Sequence, residues 1–266
     1  MYVELTFWQV GLASLLVVIN GVISLALRLR MEKSLVIASV RTVVQLLLVG
    51  LVLKWVFLLD QWYIVLALGT LMTLIAGATA VGRSERRYPG VWLNTIISVW
   101  ASAWIVTSFA LFAVMQGTEK WYQPQYAIPL LGMVLGNTLN GISVGLNTFT
   151  ESLVTRRDQV EMLLALGANR WEAARGPVQQ AVRTGMIPII NSMMVVGIVS
   201  LPGMMTGQLV SGMLPMEAAK YQIVIMFLIA SATALGTVGI VVLSFWRLFN
   251  ADHQFGFHLL SSKGNS

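Results

Sequence analysis

An all-α integral membrane protein, a polytopic bundle of about seven transmembrane helices with its N-terminus outside and its C-terminus cytoplasmic, is the fold class this sequence predicts. Three observations carry it. Hydrophobic residues make up 57% of the 266 and charged residues only 11%. The apolar residues gather in stretches of about 20, the length that crosses a hydrocarbon core of roughly 30 Å. Lys and Arg crowd into alternate connections between those stretches, as the positive-inside rule requires.

The spans fall at about 6–27, 36–57, 62–82, 92–114, 127–149, 186–201 and 218–245. They are too long and too evenly apolar for barrel strands, so the backbone must satisfy itself as helix. The first begins behind Glu4 with no basic flank and has full spanning length, which predicts a retained helix and not a cleaved signal. The sixth is bounded by Pro202-Gly203, where a helix should break. Residues 203–213 then form a short elbow or re-entrant piece on the outer side. Thirteen Lys and Arg lie in one set of connections: Arg28, Arg30, Lys33, Arg83, Arg86, Arg87, Arg156, Arg157, Arg170, Arg175, Arg183, Arg247 and Lys263. Lys54, Lys120 and Lys220 lie in the other, and Arg41 falls inside the second span. Trp8, Trp55, Trp62 and Trp121 sit at the predicted outer boundary, and Trp92 and Trp246 at the inner, as an aromatic belt requires.

A chain of this length holds one transmembrane domain, 1–266, and no sizeable soluble domain beside it. Cysteine is absent, which excludes disulfides and thiolate metal sites. The net charge of +6 resides in the connections, so it reads as an orientation signal facing a lipid bilayer and not as a nucleic-acid surface. No G-x-x-x-x-G-K-[ST] run is present, so the chain has no phosphate-cradling loop for ATP and no cofactor site of its own. H-E-x-x-H and G-x-S-x-G are missing too, which weakens an enzyme reading.

The longest polar stretch, about 150–185, mixes Val160, Leu163, Leu164, Leu166 and Trp171 with charges on both sides. Gly167 follows four good helix formers, which predicts two short amphipathic helices joined by a glycine elbow. Such a loop either anchors the bundle at the interface or docks a cytoplasmic partner.

The run from Glu161 through Ala165 and Gly167 to Ala168 resembles the start of the coupling motif in permease subunits of ABC transporters, where a glutamate precedes a glycine by six positions. The Ile-x-Leu-Pro that ends that motif has no counterpart at its usual distance; Ile187-Pro188 comes ten residues late. A wider likeness covers nearly the whole chain. Ser39-Val-Arg41-Thr-Val-Val-Gln45-Leu, Pro129 to Gly141, Ala165-Leu-Gly-Ala168 and Leu201 to Gln208 resemble one small family of bacterial permeases linked to iron export and plant proteins linked to aluminium tolerance. The resemblance implies an ABC-type permease in the cell inner membrane that exports iron or another metal cation. It also implies a separately encoded ATPase that binds the ATP. A homodimer of permease subunits is expected, because one cycle driven by two ATP sites favours two-fold symmetry. Glu161, Ala165, Gly167 and Ala168 are then the coupling residues.

Polar residues inside the spans complete the candidates. Arg41, with Gln45 one turn later, either ties helices together, lines a pathway or snorkels to the inner interface. Asn137, Asn140, Asn147 and Glu151 fall close to one face of the fifth helix. Their oxygens can replace part of a cation's hydration shell, or simply bond neighbouring helices. His253 and His258 are expected to be solvated tail residues, not ligands.

Overall fold

The computed structural model describes residues 6–114 and 122–262. It is an all-α polytopic membrane protein. Among the described residues six helices are long and apolar enough to cross a membrane: α1 (Phe7–Ala26), α2 (Glu32–Leu59), α3 (Trp62–Arg83), α4 (Val91–Phe109, continued by a π-turn Ala110–Val114), α5 (Pro124–Thr155) and α9 (Pro215–Leu248). Between α5 and α9 lie α6 (Arg157–Ala165), α7 (Arg170–Val195) and α8 (Gly203–Val210). A 3₁₀ turn, Phe257–Leu259, precedes the second of two minimal strands, β1 (Arg86–Arg87) and β2 (Ser261–Ser262). Lys120, Trp121 and Lys263, counted in the charge and tryptophan patterns, and Glu4 lie outside the described residues.

The chain forms two compact units. The first comprises α1 and α2 with the short stretch 210–213. Its helices turn through Arg28 and Arg30, both at positive φ (52° and 57°). The turn is latched by Ser24, whose hydroxyl accepts the Met31 N–H and donates to Glu32, each at 3.1 Å. Leu15, Leu16, Leu46, Leu47 and Leu48 are exposed, as side chains that meet lipid must be.

The second unit, α3 to α9, is built around α5. One face of α5 buries Val134, Leu135, Ile142, Leu146, Phe149 and Leu153, and α3, α4, α7 and α9 all pack on it. In a membrane such packing rests on close van der Waals fit, and small residues permit it. Gly141, Gly145 and Gly185 bring the backbones of α5 and α7 together. A Cβ on Gly185 would fall 2.8 Å from the Gly141 carbonyl oxygen and 2.6 Å from Thr237 Cγ2 of α9. Gly141 and Gly145 therefore serve contacts within one chain, while Gly136, on the opposite face, meets nothing within 4 Å.

Two expectations are corrected here. Residues 186–201 are not a separate span: 186–195 continue α7 without a break from Arg170. The hydropathy falls over 170–183, but the backbone does not follow it. Asn169 starts the helix with a capping box, and Pro177 and Pro188 are both accommodated inside it. The second of the two expected short loop helices is therefore the first half of a 26-residue rod. The break comes at Val195, before Pro202, with Gly197 at φ 82° inside a Val196–Ser200 bridge. Residues 203–210 do form a short helix, α8. Trp8, Trp55, Trp62, Trp92 and Trp246 are all exposed near the ends of their helices.

Candidate functional site: the glycine elbow and the polar face of α5

The elbow is built by local chemistry. α6 ends at Ala165, and Gly167 adopts φ 92°, a left-handed conformation that glycine enters without a Cβ penalty. The Gly167 N–H donates to Leu164 O and the Ala168 N–H to Leu163 O, both at 3.0 Å, the paired closure of a Schellman motif. Asn169 then caps α7. Its side chain accepts from the Trp171 and Glu172 N–H groups (3.0 and 2.9 Å), and Glu172 accepts the Asn169 N–H at 2.8 Å. One helix stops and the next begins with only Gly167 and Ala168 between the two caps, Leu166 and Asn169.

Glu161, Ala165, Gly167 and Ala168 thus share one corner. Glu161 pairs with Arg157 one turn earlier at 2.7 Å. Val160 is buried against the bundle, while Met162 and Leu166 are exposed and no atom approaches within 4 Å of where a Gly167 Cβ would stand. The corner is an open apolar knob on a fixed base.

The α5 stripe holds the α3–α4 loop. Arg83 Nη1 donates to Asn140 Oδ1 at 2.7 Å, and the Glu85 N–H donates to Asn147 Oδ1 at 3.1 Å. Asn147 Nδ2 reaches the Arg83 carbonyl at 3.3 Å, and Arg86 Nε pairs with Glu151 Oε2 at 2.7 Å. Asn137 is exposed and bonds its own helix at Met133 O. Arg41 and Gln45 lie in the other unit, both exposed on α2, and among the described residues no hydrogen bond joins them. The loop continues through Tyr88, whose hydroxyl lies 2.8 Å from Ser244 Oγ and accepts from Asn94 Nδ2 at 3.1 Å. Burial pushes the Tyr88 phenol above its ordinary value, against the opposing pull of Ser244, Asn94 and the Arg247 charge. Arg247 Nε also holds the Pro89 carbonyl at 2.9 Å.

Between this loop, α5 and α7 lies a cavity of about 430 Å³ whose lining includes Glu85, Arg86, Asn147, Glu151, Arg156 and Gln180. Arg156 Nη2 donates to Gln180 Oε1 at 2.9 Å. A neighbouring hollow of about 570 Å³ is lined by Arg156, Gly176, Gln179, Gln180 and Arg183. Among the described residues no group of three or more His, Asp or Glu converges as a metal cage would require. The polar face instead carries scattered carboxamide and carboxylate oxygens, those of Asn140, Asn147 and Glu151 bonded to the α3–α4 loop.

Several residues of this region escaped the sequence reading. Arg83, Arg86 and Arg87 registered only as positive charge, yet the first two are fixed partners of the stripe. His253, expected to be merely solvated, accepts the Arg170 N–H on Nδ1 at 3.3 Å. The aromatic spacing at 245, 249, 255 and 257 was the available signal for an ordered tail.

Residues 7–249 match the model of a family described as Uncharacterised protein family (UPF0014). The chain is 38% identical over 226 residues to UPF0014 membrane protein slr1647 of Synechocystis, covering 85% of this chain and 87% of that one. It is 29% identical to the probable iron export permease protein FetB of Escherichia coli, over 94% and 95% of the two chains. It is 30% identical to Protein ALUMINUM SENSITIVE 3 of Arabidopsis thaliana, over 94% and 90%. No solved structure matches.

Proposed function

This chain is a member of the uncharacterised protein family UPF0014, and from that premise we propose that it is the membrane-spanning permease subunit of an ATP-driven ABC transporter. It would export iron, or another metal cation, across the cell inner membrane, with ATP hydrolysed on a separate P-loop subunit. The observation that carries the reading is the elbow. Met162 and Leu166 stand exposed at a corner whose two arms, α6 and α7, run directly into the bundle. An ATPase that grips the corner differently in its two states would bias the bundle between two arrangements. The polar face of α5 supports a second copy of the chain. Asn137 is exposed on that face and bonds only its own helix; a polar group is costly against lipid, and a partner permease would cover it and close the face as a pathway.

The test is reconstitution in liposomes with the partner ATPase. Gly167→Pro cannot reach φ 92° and loses the N–H that bonds Leu164 O. ATP hydrolysis should lose its stimulation by the permease while membrane insertion survives. Unchanged stimulation would remove the elbow from the mechanism. One observation favours a second cargo class: Arg86, Arg156 and Arg183 line adjoining cavities and suit an anionic solute such as a nucleotide sugar. Uptake of ferrous ion against that of a nucleotide sugar in the same liposomes separates the two cargoes.

A further inference from the structure

We propose that the C-terminal tail, residues 249–262, is a strap that carries movement of the elbow to the loop lying across the polar face of α5. α9 ends at Leu248 and the chain doubles back on itself. The Gly256 N–H donates to Leu248 O at 2.8 Å, Phe249 bridges Phe255, and the side chains of Asn250 and Gln254 bond each other at 2.9 Å. This hairpin is closed by its own hydrogen bonds, and it grips the elbow at both arms. At the start of α7, Arg170 donates its backbone N–H to His253 Nδ1 and its Nη1 to Asn250 O at 3.0 Å. The Arg170 N–H belongs to the first turn of α7, where no intrahelical acceptor exists, so the tail satisfies a donor the helix leaves open. A ladder of rings runs from Trp171 through Phe245, Phe249 and Phe255 to Phe257, with successive centroids 5.3, 5.2, 5.1 and 6.1 Å apart. At the start of α6, the Arg157 guanidinium lies 4.2 Å above the Phe257 ring.

The far end of the tail meets the loop. Ser261 and Ser262 pair antiparallel with Arg87 and Arg86, and Ser261 Oγ donates to Arg87 O at 3.2 Å. Arg86 in turn pairs with Glu151, and Arg83 with Asn140. A continuous run of fixed contacts therefore links the elbow, the tail, the loop and the α5 face.

The two ends differ in strength. The elbow end rests on packed rings, edge-on, tilted and stacked in turn, with Phe249 only 1% exposed. The loop end rests on a ladder of two residues per strand and on an ion pair whose Glu151 side chain is 57% exposed, contacts that yield first under load. When the elbow shifts, the tail travels with it and parts from the loop at the β1–β2 ladder. The loop then keeps only its own bonds to α5, from Arg83, Glu85 and Arg86, and opens from the polar stripe more readily. The assignment of the elbow as the driven part rests on the proposed function; the linkage itself does not.

Hydrogen exchange on the full chain in lipid nanodiscs tests the linkage without ATPase or cargo. Phe257→Leu loosens the elbow end while keeping an apolar side chain. Amides of 83–87 should then exchange at least about threefold faster, although the substitution touches no residue of that loop. Ser261→Pro breaks the ladder and should accelerate 83–87 alike while leaving 157–171 unchanged. The chain contains no cysteine, so Arg87→Cys with Ser261→Cys can close a single disulfide across the ladder. Combined with Phe257→Leu, it should restore slow exchange at 83–87 until reductant is added. Acceleration confined to 157–171 in Phe257→Leu, or to 249–262 in Ser261→Pro, overturns the strap. With the partner ATPase present, the oxidised double variant should bind it yet move no cargo, regaining transport on reduction. Failure of any ATPase to bind would sink the proposed function while the exchange result still decides the strap.

Discussion

Replacing Gly167 and Gly185 each by alanine separates two reasons for a glycine. At Gly167 the backbone is left-handed and the space around a new Cβ is empty. The left-handed conformation costs an L-residue about 1–2 kcal/mol, and alanine recovers about 0.4–1 kcal/mol by restricting the unfolded chain. The net loss is about 0–1.6 kcal/mol, a fall of about 6 °C at most in the unfolding midpoint. At Gly185 the conformation is helical, but a Cβ would stand 2.8 Å from the Gly141 carbonyl oxygen and 2.6 Å from Thr237 Cγ2. Neither obstacle is the end of a flexible side chain, so α5 and α7 must separate. Overpacking of that kind reaches about 3 kcal/mol. Thermal unfolding in detergent, followed by tryptophan fluorescence, should rank Gly185→Ala well below Gly167→Ala, with Gly167→Asn near the parent protein. If Gly167→Ala proves as damaging as Gly185→Ala, the elbow is not the open corner described here, and the contrast between conformational and steric cost fails.

Asn169→Ala removes both capping bonds at the head of α7 and should lower stability by about 1 kcal/mol, seen in the same melts and as faster amide exchange at Trp171 and Glu172. Tyr88 supplies a pH dependence. Its folded pKa lies above the ordinary tyrosine value of about 10, chiefly through burial. The folded state therefore holds the proton more tightly, and the associated stability is intact below pH 10 and lost as pH rises through the higher folded value. Ultraviolet titration should show one tyrosine ionising late, absent in Tyr88→Phe; a single transition identical in both proteins would contradict the burial.

The parts of this molecule that were legible in the sequence are those fixed by neighbours in the chain. Gly167 after a run of helix formers, and Asn169 three residues before Glu172, signal a stop and a start from local chemistry alone. Long apolar stretches gave α1 to α5 and α9 within a few residues at most ends. The continuity of α7 was hidden because hydropathy reports what a residue faces, not whether the helix goes on: 170–183 is polar on its outer side while Ala173, Ala174, Val178 and Ala181 are buried on the inner. The stripe on α5 was visible as a pattern, but its partners were not. Arg83 and Asn140 are 57 positions apart, and Arg86 and Glu151 are 65 apart, so only the tertiary fold could pair them. The ring ladder of the tail was likewise a spacing without a meaning until α7 and α9 were set side by side.

The unbroken course of α7 makes it a lever. It is 26 residues long, about 39 Å, and it packs tightly on the α5 backbone at Gly185, about 22 Å from the elbow end and 15 Å from Val195. A rigid rod pressed at one end turns about such a tight contact, so its two ends swing in opposite directions. A tilt of about 5° would carry the elbow end roughly 2 Å one way and the far end a little over 1 Å the other. With a fulcrum at mid-bundle, a single push from one side of the membrane would narrow that side as it widens the other.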